Sequence, residues 1–116
     1  MCLSCHDGTI ALTQTYNSNN ALAGSVYITP QDRGYIGTDL TDDHPISFTY
    51  DSALVAKNTQ LRDPNTIPKV LALDQNHQLQ CTTCHDPHND SLGYFLRMDN
   101  RASAMCTSCH NMIGWP

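Results

Sequence analysis

The chain contains no glutamate and only two lysines among its 116 residues. No apolar stretch approaches the ~20 residues that a membrane-spanning helix needs, so no membrane span is expected. No basic run occurs and the formal net charge is −5, which argues against nucleic-acid binding. In place of strong helix formers stand eleven Asp, twelve Thr, nine Asn and eight Ser. Their side chains compete for backbone hydrogen bonds and favour caps and turns over helix interiors. Six Gly and six Pro punctuate the chain further. The expectation is few long helices, short strands and much irregular chain. Such a chain needs something besides an ordinary core to fold around.

Cysteine is the residue with a pattern. All six fall into three units, Cys2-Leu3-Ser4-Cys5-His6, Cys81-Thr82-Thr83-Cys84-His85 and Cys106-Thr107-Ser108-Cys109-His110, and none is left over. The pattern C-x-x-C-H reads as covalent attachment of c-type haem. Two thiols about one helical turn apart can each add to one haem vinyl group. The adjacent histidine then lies under the ring and offers its imidazole nitrogen to iron. A Cys₄ zinc site would use two of the pairs but leave the third without a mate. A disulfide scaffold would leave the histidine after every pair unexplained. Three haem c groups are therefore expected, with His6, His85 and His110 as proximal ligands.

The six histidines match this arithmetic. The three not used proximally, His44, His77 and His88, equal the number of open sixth positions. Bis-histidine ligation of all three irons is expected. Pro45 restricts His44 to an extended backbone, a stiff way to present an imidazole. His88 follows His85 by three residues and is expected to reach a neighbouring haem. His77 sits in a turn, Asp74-Gln75-Asn76-His77, where a solvent-facing histidine is the competing reading. Methionine is the rival ligand. Met105 directly precedes Cys106, a cramped position, and Met98 and Met112 are expected to pack on porphyrin edges. The aromatics Phe48, Phe95, Trp115 and five Tyr are expected to wall the flat haem faces.

The motifs are unevenly spaced. One domain, 1–116, is expected, with residues 1–80 as an N-terminal haem unit plus wrapping segment and 81–116 as a two-haem unit. Short helical turns are predicted at each attachment motif. Strands are predicted at Ser25–Thr29 and Ile46–Tyr50, a helix at Ser52–Leu61 with Ser52 as N-cap, a loop at Pro64 to Pro68 and a hairpin over Val70–Gln80. The acidic stretch Thr38-Asp39-Leu40-Thr41-Asp42-Asp43 lacks an EF-hand pattern and reads as a solvated loop. Asn89-Asp90-Ser91 is a glycosylation sequon, a tripeptide common by chance.

The run Cys81-Thr-Thr-Cys-His-Asp-Pro-His88, then Phe95-Leu96-Arg97, then Met105-Cys106-Thr-Ser-Cys-His110, closely resembles the doubled-CxxCH family of bacterial multihaem cytochromes. Cys2-Leu-Ser-Cys-His-Asp-Gly-Thr and the later His44-Pro45 resemble the companion haem unit often found upstream. The resemblance implies a multihaem c-type cytochrome, mostly irregular chain with short helices at the CxxCH motifs, wrapped around a row of three haems. It implies an exported electron carrier, extracellular or periplasmic. No leader is visible, so the signal is expected to have been removed or to precede Met1. In type, though not in aligned residues, the chain is also similar to extracellular filament-forming cytochromes.

Imidazoles equal the open positions, and no Ser/His/Asp arrangement stands apart from the haem ligands. A reductase is therefore the weaker reading, and no catalytic residue is assigned. Three electron-transfer roles compete: a soluble shuttle, a subunit of a membrane-associated complex, and a filament. Attachment sites near both ends favour head-to-tail self-association into a filament. Other redox proteins and extracellular electron acceptors are the further partners expected.

Overall fold

Aspartate organises the backbone. At least nine of the eleven aspartates accept a main-chain N–H with their own carboxylate. Most of these bonds reach a residue two to three positions away, which is what a short carboxylate can close into a turn. The computed structural model describes residues 1–13 and 25–111. Its order is helix α1 (Leu3–His6), strand β1 (Phe48–Thr49), helix α2 (Ser52–Lys57), strand β2 (Gln78–Leu79), helix α3 (Cys81–Cys84) and helix α4 (Ala104–Cys109). Single 3-10 turns lie at Pro64–Thr66 and Arg101–Ser103. Helices of four to six residues do not hold themselves in water. Three of the four sit on the attachment motifs, as the spacing predicts.

The chain forms two compact units, Met1–His44 and Pro45–Pro116. In the first, α1 is followed by loops. Ser25–Thr29 has no regular secondary structure and joins no sheet among the described residues; it is tied to the preceding chain where Leu12 N–H donates to the Val26 carbonyl (2.7 Å). The predicted strand is absent there because one backbone bond does not make a ladder. The Thr38–Asp43 loop is exposed throughout, and Asp39 is turned onto Thr41.

In the second unit, β1 and β2 pair antiparallel, Phe48 opposite Leu79 and Thr49 opposite Gln78. The predicted strand over Ile46–Tyr50 is cut to two residues because Ser47 takes a left-handed conformation (φ 61°). The predicted Val70–Gln80 hairpin is corrected. Its turn exists, with Asp74 N–H on the Gln78 carbonyl, but Val70–Leu73 forms no strand. Leu71 instead closes a turn onto Pro68, and β2 takes β1 as its partner.

Helix α2 begins one residue earlier than predicted at its cap. Asp51, not Ser52, is the N-cap, and its carboxylate accepts the Leu54 N–H at 2.8 Å. An extended backbone at Asp51 puts that carboxylate in reach. The helix ends at Lys57 rather than Leu61, because Asn58 turns the chain: its carbonyl accepts from Leu61 and its side chain from Gln60. That early end frees Leu61 to pair elsewhere, as described below.

Few side chains are fully buried. Among the described residues the buried apolar set is Ala11, Tyr50, Leu71, Leu79 and Met105, with Thr83 the buried polar one. Large apolar residues such as Val26, Leu92, Tyr94 and Phe95 remain about half exposed or more. The small core agrees with the composition.

Candidate functional site

The second and third attachment motifs share one construction. In each, the two cysteines lie on a helical turn and the histidine leaves it in extended conformation, φ −116° and ψ 140° for His85, φ −103° and ψ 136° for His110. Each histidine then forms an isolated antiparallel bridge, His85 with Leu96 and His110 with Leu61. Two backbone bonds flank each bridge. Around His85, Asp86 N–H donates to the Phe95 carbonyl (2.7 Å) and Arg97 N–H to the Cys84 carbonyl (2.9 Å). Around His110, Asn111 N–H donates to the Gln60 carbonyl (2.6 Å) and Arg62 N–H to the Cys109 carbonyl (2.8 Å). Helix and bridge together fix three residues, two thiols and one imidazole, in a defined relation.

Side chains brace each joint. Arg97 Nε donates to the Thr82 carbonyl on α3 at 2.6 Å, and its Nη1 lies 3.8 Å from the Asp86 carboxylate. A cation at a helix C-terminus meets the unpaired carbonyls there. At the other end of α3, Thr83 Oγ accepts the Gln80 N–H at 3.0 Å while buried. At the third motif the brace is Tyr50. Its hydroxyl lies 2.8 Å from the Arg62 carbonyl and 3.1 Å from the Cys109 carbonyl and shares its one proton between them. Tyr50 is 2% exposed. Burial, then charge on the neighbouring Cys109 thiol and on Asp63, pushes its hydroxyl up to about 12.

None of the six cysteines is in a disulfide. Burial raises the Cys84 thiol, and Cys106 and Cys81 add to the effect; burial likewise raises Cys109, with Cys84 and Cys106 adding. The thiols of the two motifs thus lie close enough to feel one another. Among the described residues, no three His, Cys or Asp side chains converge on a point that could hold a bare metal ion.

The first motif is built differently. His6 stays in the helix α1, and its carbonyl accepts the Ile36 N–H at 2.8 Å. Its imidazole Nδ1 lies 2.6 Å from the Gly34 carbonyl oxygen. A Cβ at position 34 would stand 3.3 Å from His6 Nδ1 and Cε1, so glycine permits this approach. His85 repeats the contact: its Nδ1 lies 2.9 Å from the Tyr94 carbonyl oxygen. A carbonyl only accepts, so in both rings the proton is on Nδ1. Nε2 then keeps its lone pair for a metal, the arrangement by which iron-ligating histidines are usually oriented. The donor set therefore fits haem c, which supplies a reversible one-electron couple at its iron.

The three expected distal histidines, His44, His77 and His88, are exposed, whereas His110 is half-buried. His44 closes the first unit and precedes Pro45. His88 lies in the turn Asp86–Asn89, its N–H held by the Asp86 carboxylate at 3.0 Å. His77 is in the turn the sequence predicts, with a left-handed backbone (φ 57°). Beside it the Gln78 N–H holds the Asp74 carboxyl below its ordinary range, the Gln80 and Asn76 bonds and the His77 ring adding. His77 also borders an open cleft of about 330 Å³ with a mixed lining that includes Ile67, Leu71, Leu73, Lys69 and Asp74. Met98 accepts a weak bond from Ser108 Oγ (3.8 Å), and Met105 is buried. Met112 and Trp115 lie outside the described residues.

Sequence reasoning did not find the Gly34 and Tyr94 carbonyls, the Tyr50 brace or the cleft beside His77. Every residue carries a carbonyl, so no letter in the sequence marks those two.

No curated protein matches the chain. Residues 75–113, about a third of its length, match the family described as the doubled CXXCH motif. The match spans α3, both bridging histidines, the Phe95-Leu96-Arg97 segment and α4. Residues 75–113 are thus similar to the doubled CXXCH motif, and that similarity supports haem c attachment and electron transfer in general.

Proposed function

We propose that the chain carries three haem c groups, attached at Cys2 and Cys5, Cys81 and Cys84, and Cys106 and Cys109. His6, His85 and His110 are the proximal ligands and His44, His77 and His88 the distal ones. The observation that carries this reading beyond the matched segment is at His6. That ring, far outside residues 75–113, is oriented by a backbone carbonyl in the way His85 is. The open cleft beside His77, lined in part by Ile67, Leu71 and Leu73, supports a porphyrin edge there, with Lys69 as a cation for a propionate. Ligation of every iron by two imidazoles leaves no open position for substrate, so the protein is a carrier of electrons and not an enzyme. Potentials below those of His/Met cytochromes follow. Export to the periplasm or the extracellular space goes with this chemistry.

The carrier acts as a subunit of an extracellular filament, copies joined head to tail with other redox proteins at its ends. Support for this comes from the exposed positions of His77 and His88, open to an iron of this chain or of the next copy. The acidic charge opposes self-association, so specific contacts must overcome it. Magnetic circular dichroism with sedimentation tests both parts. All irons low-spin and bis-imidazole in a large assembly is the expected result. A Met–iron band or a high-spin iron in intact protein contradicts the ligation. Low-spin monomers at high concentration would establish a soluble shuttle instead.

A further inference from the structure

The segment after His88 holds an unusual backbone. Gly93, Tyr94 and Phe95 take φ of 77°, 56° and 56° in succession. A glycine does this freely, but positive φ at two consecutive aromatic residues is strained and persists only where the surroundings impose it. Neither ring is sequestered to compensate, for Tyr94 is 67% and Phe95 46% exposed. What imposes the turn is Asp90. Its carboxylate Oδ1 accepts the Phe95 N–H at 2.8 Å, and its carbonyl accepts the Gly93 N–H at 3.1 Å. Beyond the turn the chain is locked by the His85–Leu96 bridge. The product of this construction is one contact: the Tyr94 carbonyl oxygen stands 2.9 Å from His85 Nδ1. The Asn89-Asp90-Ser91 tripeptide, which reads as a sequon, is the start of this turn, with Asn89 Oδ1 accepting the Ser91 N–H.

We propose that Asp90 is a positioning residue that sets the potential of the haem attached at Cys81 and Cys84, by locking the left-handed Gly93–Phe95 turn that aims the Tyr94 carbonyl at His85. The inference rests on the reading of His85 as that iron's proximal ligand. A proton donated from Nδ1 to a carbonyl makes the imidazole a more basic ligand. A more basic axial ligand favours the oxidised iron and lowers the potential. Loosening the turn weakens the donation and raises the potential of that haem alone.

The test compares Asp90→Ala with Asp90→Asn in the fully haem-loaded chain. Both remove the same negative charge, but asparagine keeps an Oδ1 to accept the Phe95 N–H. Potentials are read by spectroelectrochemical titration. The individual haems are assigned from hyperfine-shifted NMR signals, which also report the His85 Nδ1 proton. Asp90→Ala is expected to raise the middle haem's potential above that of Asp90→Asn and to speed exchange of the Nδ1 proton. The other haems should stay equal in the two variants. Gly93→Ala is a second probe, because its Cβ meets nothing within 4 Å and strains only the backbone at φ 77°. It should shift the same haem in the same direction. Equal potentials in the two Asp90 variants, with the middle haem unmoved in Gly93→Ala, overturn the proposal. A chain without a haem at Cys81 and Cys84, or with that iron not bound by His85, is a different failure, that of the ligand assignment itself.

Discussion

His6 Nδ1 stands 2.6 Å from the carbonyl oxygen of Gly34, twenty-eight residues along the chain. Glycine at 34 lets the ring approach this closely, since a Cβ there would lie 3.3 Å from two atoms of the ring. It ties the loop after Asp32 to the first attachment motif, and it fixes which imidazole nitrogen is free.

Gly34→Ala is expected to displace the His6 ring by a few tenths of an ångström while costing no more than about 1 kcal/mol in stability. The haem at Cys2 and Cys5 should shift in its hyperfine NMR signals and rise in potential, with the other two unmoved. An unchanged first haem would show that the contact does not orient the ligand.

Tyr50→Phe removes a buried hydroxyl donor from the Arg62 and Cys109 carbonyls. A loss of about 1–2 kcal/mol at neutral pH is expected. The pH dependence has a definite sign. The hydroxyl's folded value of about 12 exceeds its ordinary value of 10. Its contribution is full below pH 10, falls as the unfolded chain alone loses the proton, and is gone above about 12. Burial alone keeps this direction once Cys109 is in thioether linkage. Chemical unfolding of the holoprotein at pH 9 and pH 11 checks it, since Tyr50→Phe should lack the alkaline fall attributable to this group.

Arg97→Ala removes the Nε bond to the Thr82 carbonyl and the pair with Asp86. The pair is partly exposed and contributes little, so most of the expected cost of about 1–2 kcal/mol comes from the hydrogen bond to the helix. Arg97→Lys should recover only part, because an ammonium cannot serve both partners in the same planar fork. Denaturant midpoints of the three proteins give the comparison. Equal midpoints would mean that α3 holds its place without the guanidinium.

The parts legible in the sequence were those where a residue type carries the geometry. Cysteine spacing marked α1, α3 and α4, and aspartate abundance marked the turns. Asp74 to His77 reads as a turn and is one. The illegible parts depend on partners far away. Leu61 looked like the end of a helix, yet Asn58 releases it to pair with His110. Val70–Leu73 has the composition of a strand, but Pro68 closes a turn on Leu71 and β2 finds β1 instead. Ser52 is a good cap, and Asp51 is a better-placed one. The carbonyls of Gly34 and Tyr94 leave no trace in side-chain identity. The sparse core also follows from the composition, since a chain so rich in Asp, Asn, Ser and Thr has little apolar material to enclose.

Mass measurement of the mature protein under denaturing conditions tests the central claim most directly. Thioether bonds survive denaturation, whereas metal ligation and packing do not. The expected mass is that of the polypeptide plus three haems, and Cys81→Ala with Cys84→Ala should lower it by one. Fewer than three haems in fully matured protein, or zinc in their place, would contradict it.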